Sequence, residues 1–356
     1  MISLMVKLSV LTLPLMTAMT FYKNLIGPHF FARPSLSLGK GEFSSEYDYI
    51  IVGSGSSGSV LANRLSEDQH NSVLLIEAGG SENFISDIPI AYQLLQKSKL
   101  DWSYKTVPQR HACFGLDSQS SFWPRGRVLG GTSVLNVMLY TRGNPNDYNQ
   151  WPSGWRWPEV YPYFLKSERN LDFDIATNGF HNGAGYLDVR RTPFVTPLGH
   201  AFVESAHEMG YPSLLDLNGP SQTGFAIPQT TNRNGARCST AKAFLYSILK
   251  RPNLDILTHA MATQIIFNEH KRAIGVNFDR FQMSHVVFAR KEVILSAGSI
   301  NSPQLLLLSG VGPSADLRRL GVSYLRPRGL PVCPTLTPKL TLCPDCLLFG
   351  VSRFQL

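Results

Sequence analysis

The chain has no run of Lys or Arg longer than two residues, and only 16% of its 356 residues are charged. A nucleic-acid partner would need the net charge of +8 gathered on one face. With no basic run and no DNA- or RNA-binding signature, the reading is a mildly basic solvated surface and no nucleic-acid partner. Cysteine is scarce, and the five present cannot all pair within one chain. Cys343 and Cys346 form a C-P-D-C element, but a structural zinc site would need two further ligands and no His follows. No metal is expected. Histidine is missing altogether after His285. What is plentiful is apolar and turn-forming residues: 43% apolar, 29 Gly and 23 Pro. That supports a substantial core and about two domains, and argues against wholesale disorder.

The N-terminus carries Lys7, then a short apolar stretch from Leu8 to Met19 with small residues near Thr17 and Ala18. This pattern fits a secretory signal over residues 1–22, with an extracellular location as the expectation. Pro14 and the shortness of the run argue against a membrane-spanning helix. Residues 23–45 read as a linker ahead of the fold.

Tyr49-Ile-Ile-Val52 is a fully apolar, β-branched run, the pattern of a strand buried on both faces of a parallel sheet. Gly53-Ser-Gly55-Ser-Ser-Gly58 follows, and then a helical stretch with Leu61 and Leu65 one turn apart. In such a unit Gly53 permits the tight turn, Gly55 lets backbone approach a pyrophosphate, and Gly58 lets helix and strand pack closely. The helix start offers N–H groups and a positive dipole end to phosphates. A second apolar strand, Val73-Leu-Leu-Ile76, ends at Glu77, an acidic residue placed to accept from ribose hydroxyls. A glycine turn alone is weak evidence; with both strands, the helix and Glu77 in order, dinucleotide binding is expected. The unit by itself does not separate FAD from NAD.

Two further stretches decide that choice. Gly126-Arg-Val-Leu-Gly130-Gly131-Thr-Ser-Val-Leu-Asn136-Val-Met-Leu-Tyr140-Thr-Arg-Gly143 resembles the first signature of the glucose–methanol–choline (GMC) oxidoreductases. Gly298-Ser-Ile-Asn-Ser302-Pro303-Gln-Leu-Leu-Leu-Leu-Ser309-Gly310-Val-Gly312 resembles the second. Leu100-Asp-Trp-Ser-Tyr104, Trp123-Pro-Arg-Gly126 and the segment from Arg237 to Phe244 extend the likeness, which runs from about Tyr47 to about Val322. Within that family it resembles the insect FAD-dependent glucose dehydrogenases.

The resemblance implies an α/β fold: a Rossmann-type FAD-binding domain with a parallel sheet, plus an incomplete α+β substrate-binding domain. The FAD domain would be discontinuous, residues 46–150 and 225–325, with 151–224 the partial substrate domain. It implies FAD-binding positions at Gly53, Gly55, Ser56, Gly58 and Glu77; at Arg127, Gly130, Gly131, Ser133, Asn136 and Met138; and at Ala262, Ala297 and Gly298. Some relatives attach the flavin covalently to a His just before the Asn; here that position is Leu135, which implies non-covalent FAD. Val293–Leu295 reads as a strand, Ser302 as a helix N-cap with Pro303 at the first helical position, Leu305 to Leu308 as buried, and Gly310 as the helix end. His181 lies in what the family uses as a surface loop, so a structural role is expected for it.

The implied chemistry is oxidation of an alcohol or sugar by hydride transfer to flavin, with a quinone or oxygen as acceptor and a base taking the hydroxyl proton. In the family that base is a His late in the chain. Here residues 326–356 are proline-punctuated and unlike the family, so no catalytic residue is assigned. The expectation is a C-terminally truncated relative with little activity as it stands. A non-catalytic truncated isoform or FAD-binding scaffold is the alternative, followed by a flavin-dependent lyase and an NAD enzyme.

Overall fold

A computed structural model describes residues 43–323 and the pair 352–353. The expected leader, most of the linker and nearly all of the 326–356 tail lie outside the described residues. The principal elements are β1 (Glu46–Val52), α1 (Ser56–Leu65), β2 (Val73–Ile76), α2 (Trp157–Ser167), β3 (Glu168–Asn170), β4 (Leu187–Arg191), α3 (Pro197–Glu208), β5 (Gln229–Thr230), β6 (Leu254–Leu257), β7 (Ala260–Phe267), β8 (Ala273–Arg280), β9 (Met283–Leu295) and α4 (Gly298–Leu308).

The main sheet runs β6-β2-β1-β9-β8-β7, and Ser352–Arg353 pairs with the end of β9. Its first four strands are parallel, as the apolar runs at Tyr49 and Val73 imply. The other half is antiparallel, so the sheet is mixed rather than wholly parallel. β9 joins the halves. Its first residues pair with β8, and its last ones, through Leu295, pair with β1. The expected strand Val293–Leu295 is therefore the end of a 13-residue strand. Ile50, Val52, Leu74, Ile76, Phe278, Val287 and Leu295 fill one continuous core. Each such side chain contributes about 1.5–3 kcal/mol by leaving water.

α1 lies so close to the sheet that small residues form its buried face: Gly58, Ser59, Ala62 and Asn63. Leu61 and Leu65 are only half-buried. A leucine face would hold the helix too far from the strands for the glycine turn to close.

α4 begins at Gly298, with Ala297 as N-cap, not at Ser302 and Pro303. Gly298, at φ +89°, turns the chain directly off β9 into the helix. Pro303 then falls inside the helix, where it removes one donor. Of the four leucines, Leu305 is buried and Leu308 is half exposed. The helix does end at Gly310, φ +82°. Gly310 N–H donates to Leu307 O and Val311 N–H to Leu306 O, the Schellman pattern. Within 151–224, β3 pairs in parallel with β4, and β5, which lies beyond that segment at Gln229–Thr230, adds to β4 antiparallel. Among the described residues no helix is long and apolar enough to cross a membrane.

Candidate functional site

A cleft opens beyond the C-terminal ends of β1, β2 and β9, the edge where doubly wound sheets bind ligands. Its volume is about 280 Å³, near the lower end of the range of roughly 300–1,000 Å³ for small-molecule sites and sized for part of a dinucleotide. Gly53, Gly55, Ser56, Glu77, Gly131, Ala262, Ala297 and Gly298 all line it.

The glycines do different work. A Cβ on Gly53, φ +96°, would lie 2.6 Å from Ser296 O, and one on Gly58 would lie 1.9 Å from Gly53 O. Those two residues bring the turn, β9 and α1 together. Gly55 is different: a Cβ there would meet nothing closer than Ser296 O at 3.9 Å. The fold around Gly55 leaves room for a side chain, so the bare backbone serves the cleft. Gly131, φ +57°, carries the second stretch to the first, since its Cβ would stand 2.6 Å from Gly55 Cα.

Two helices start at this cleft. Neither α1 (N-cap Gly55) nor α4 (N-cap Ala297) has a side-chain cap or an acid in its first turn. Their leading N–H groups and dipole ends favour an anion. Beside the glycine turn Glu77 accepts from Ser54 N–H (3.0 Å), Ser54 Oγ–H (2.6 Å) and Gly79 N–H (2.8 Å). Burial pushes its carboxyl up from the usual range, more than these bonds and the Arg127 charge pull it down. Oε2 accepts both Ser54 bonds, whereas Oε1 accepts only from Gly79 and keeps acceptor capacity.

The other expected positions sit around the cleft without lining it. Gly130, φ +97°, packs on Ala241, and its C=O accepts from Ser133 Oγ–H (2.7 Å). Asn136 is exposed; its Oδ1 accepts from Met138 N–H (3.1 Å) and Arg237 Nη1–H (2.9 Å). Met138 is buried at φ +64°, a strained conformation for that residue. Arg127 lies with its guanidinium over the Trp102 ring, 4.9 Å from the centroid. The side chain of Arg125, which the sequence did not single out, does line the cleft.

Behind this wall, Arg237 is completely buried and donates to Ser86 O (2.8 Å), Ser133 O (3.0 Å) and Asn136 Oδ1. Burial brings its pKa down to about 10.

His181 is no surface residue. Its side chain is fully buried, with Nδ1 2.5 Å from Glu168 Oε1 and Nε2 2.8 Å from Asp216 Oδ2. Arg142 pairs with the same Glu168. Burial pushes the imidazole pKa down, but the two carboxylates outweigh it and the net shift is up. Burial raises Glu168 and Asp216, and their hydrogen bonds to His181 bring both below the usual range. The loop reading of 180–185 holds for the backbone, which forms no helix or strand, while its histidine joins segments far apart in sequence. Among the described residues no group of His, Cys, Asp and Glu could hold a metal ion.

A parallel strand–glycine turn–helix–strand unit with an acid at the second strand end defines a Rossmann-type nucleotide fold. The chain belongs to the GMC oxidoreductase family, whose sequence profile matches residues 47–337. The match starts where the resemblance does and runs past Val322 into the proline-punctuated segment. The chain is 46% identical to a Drosophila melanogaster glucose dehydrogenase [FAD, quinone] over 80% of its own length and 46% of that protein's. It is 40% identical to the mitochondrial choline dehydrogenase of Mus musculus over 82% of its length and 49% of that protein's. The chain thus spans about half the length of these relatives. Pyridoxine 4-oxidase from Mesorbium loti has a similar structure, with TM-score 0.73 and 35% identity over 78% of this chain and 55% of that one.

Proposed function

We propose that the chain binds FAD non-covalently in this cleft and belongs to an alcohol- or sugar-oxidising machinery, with a quinone or oxygen taking up the electrons. The observation that carries the reading is the meeting of three glycine-bearing stretches, Gly53–Gly58, Gly130–Gly131 and Ala297–Gly298, around one cleft with Glu77 on its wall. These residues suit FAD: bare backbone at Gly55, two uncapped helix starts for a diphosphate, and a buried carboxylate with spare acceptor capacity for ribose hydroxyls.

In this reading Gly53, Gly55, Ser56 and Gly58 hold the diphosphate, and Glu77 the ribose. Ala262, Ala297 and Gly298 serve the adenosine side. Gly130, Gly131, Ser133, Asn136 and Met138 shape the flavin side, with Arg127 close by. Non-covalent binding is supported by Leu135, which is buried with Val128 and Val134 and carries no nucleophile. Bound FAD would supply the hydride acceptor, while the protein supplies placement and exclusion of water.

Among the described residues no histidine lines the cleft, and His181 is engaged by two carboxylates. That favours a second reading, in which this chain carries FAD binding with little turnover of its own. Purified protein assayed with glucose and other alcohols and a dye acceptor tests it. Turnover near that of a full-length relative would contradict the second reading, and release of nicotinamide instead of flavin on denaturation would contradict the first.

A further inference from the structure

Arg125 is held firmly by its backbone. Its N–H donates to Asp101 Oδ1 (2.9 Å) and its C=O accepts from Trp102 N–H (2.9 Å). The side chain is left to the cleft, which it lines. Nη2 comes so close to Gly298 that a Cβ there would stand 2.8 Å from it. Among the described residues no carboxylate or carbonyl hydrogen-bonds this guanidinium. Arg127, two residues on, is exposed and rests on Trp102.

The position of Arg125 within the cleft follows from its neighbours. Gly298 adjoins Ala297, and a Cβ on Gly53 would lie 2.7 Å from Ala297 Cα. The guanidinium therefore stands by the glycine turn and the start of α4. Two uncapped helices, of 10 and 11 residues, open on the same space. One fixed cation and two dipole ends fit a group with two negative charges and oxygens in a planar fork's reach.

We propose that Arg125 is the counter-charge for the diphosphate of the bound dinucleotide, and that affinity here depends on the diphosphate through it. The proposal rests on the FAD reading above. Its consequence is selectivity: FAD and ADP gain from Arg125, whereas riboflavin and adenosine do not.

The test is a titration of the full chain, freed of flavin, with FAD, ADP and adenosine at several salt concentrations. Arg125→Gln is expected to raise the Kd for FAD and ADP by about 10- to 100-fold, the worth of a charge-assisted hydrogen bond. Adenosine binding stays the same, and the salt dependence of ADP binding becomes shallower. Arg125→Lys recovers part of the loss, because it keeps charge without the fork. Among the described residues the side chain makes no hydrogen bond, so unfolding midpoints of the flavin-free variants should match wild type. In the unaltered chain, ADP affinity should fall with salt while adenosine affinity does not, whatever a variant does. Unchanged ADP affinity in Arg125→Gln, or an equal loss for adenosine, overturns the role of Arg125 while leaving FAD binding in place. A wild-type chain that binds neither FAD nor ADP overturns the FAD reading and this inference with it.

Discussion

Gly131 and Gly55 meet backbone to backbone: a Cβ on Gly131 would stand 2.6 Å from Gly55 Cα. The two residues come from separate motifs, and their contact makes one site of two sequence signals. Gly131 also sits at φ +57°, a left-handed conformation. Gly131→Ala is expected to lose about 2–3 kcal/mol of stability through strain and forced separation of the two loops. Urea unfolding followed by circular dichroism measures it, and a loss near zero would mean that the contact is slack.

The His181 cluster makes stability depend on pH. With the imidazole charged, Nδ1–H donates to Glu168 and Nε2–H to Asp216. Arg142 pairs with Glu168, Asn170 Nδ2–H donates to it (2.7 Å), and Tyr140 Oη–H donates to it (3.1 Å). The folded His181 pKa is raised. Its contribution is therefore complete below the ordinary histidine value of about 6.5 and is lost as pH rises through the folded value. Glu168 and Asp216 are lowered, so theirs is present above the ordinary carboxylate range and lost as pH falls through their folded values. Wild-type stability should decline as pH rises above the ordinary histidine value of about 6.5, and His181→Gln should be weaker by about 3 kcal/mol below that value and flatter above it. Thermal unfolding on both sides of that value checks both parts.

Arg237 ties Ser86, Ser133 and Asn136 together. Arg237→Met would leave Ser86 O and Ser133 O without this donor and Asn136 Oδ1 held by Met138 N–H alone. A loss of about 3 kcal/mol is expected. Arg237→Lys should lose less, since it keeps the charge but not the planar fork. Denaturant midpoints of the two variants give the ranking, and equal midpoints for wild type and Met would refute it.

The sequence carried the site where the signal was local. Strand, glycine turn, helix and Glu77 follow one another within thirty-odd residues, and each has its own steric or electrostatic reason. Arg125 was not legible, because its importance depends on its approach to Gly298, far along the chain. The His181 cluster was hidden for the same reason: Glu168 and Asp216 lie 13 and 35 positions away. At α4 two start signals competed. Ser302 and Pro303 resemble a cap, but Gly298 leaves the strand already turned for a helix. The buried face of α1 was not legible in the leucine spacing, because close approach to the sheet demands small side chains there.

Whether bare backbone at Gly55 serves a ligand and not the fold is tested most directly by one comparison. Flavin content per chain is measured by absorbance for purified wild type and Gly55→Ala, alongside the unfolding midpoint of each in flavin-free form. Because a Cβ at Gly55 meets no protein atom closer than 3.9 Å, the two midpoints should coincide. Wild type should hold about one flavin, released by acid, and Gly55→Ala close to none. Full flavin content in Gly55→Ala, or none in wild type, would contradict the account.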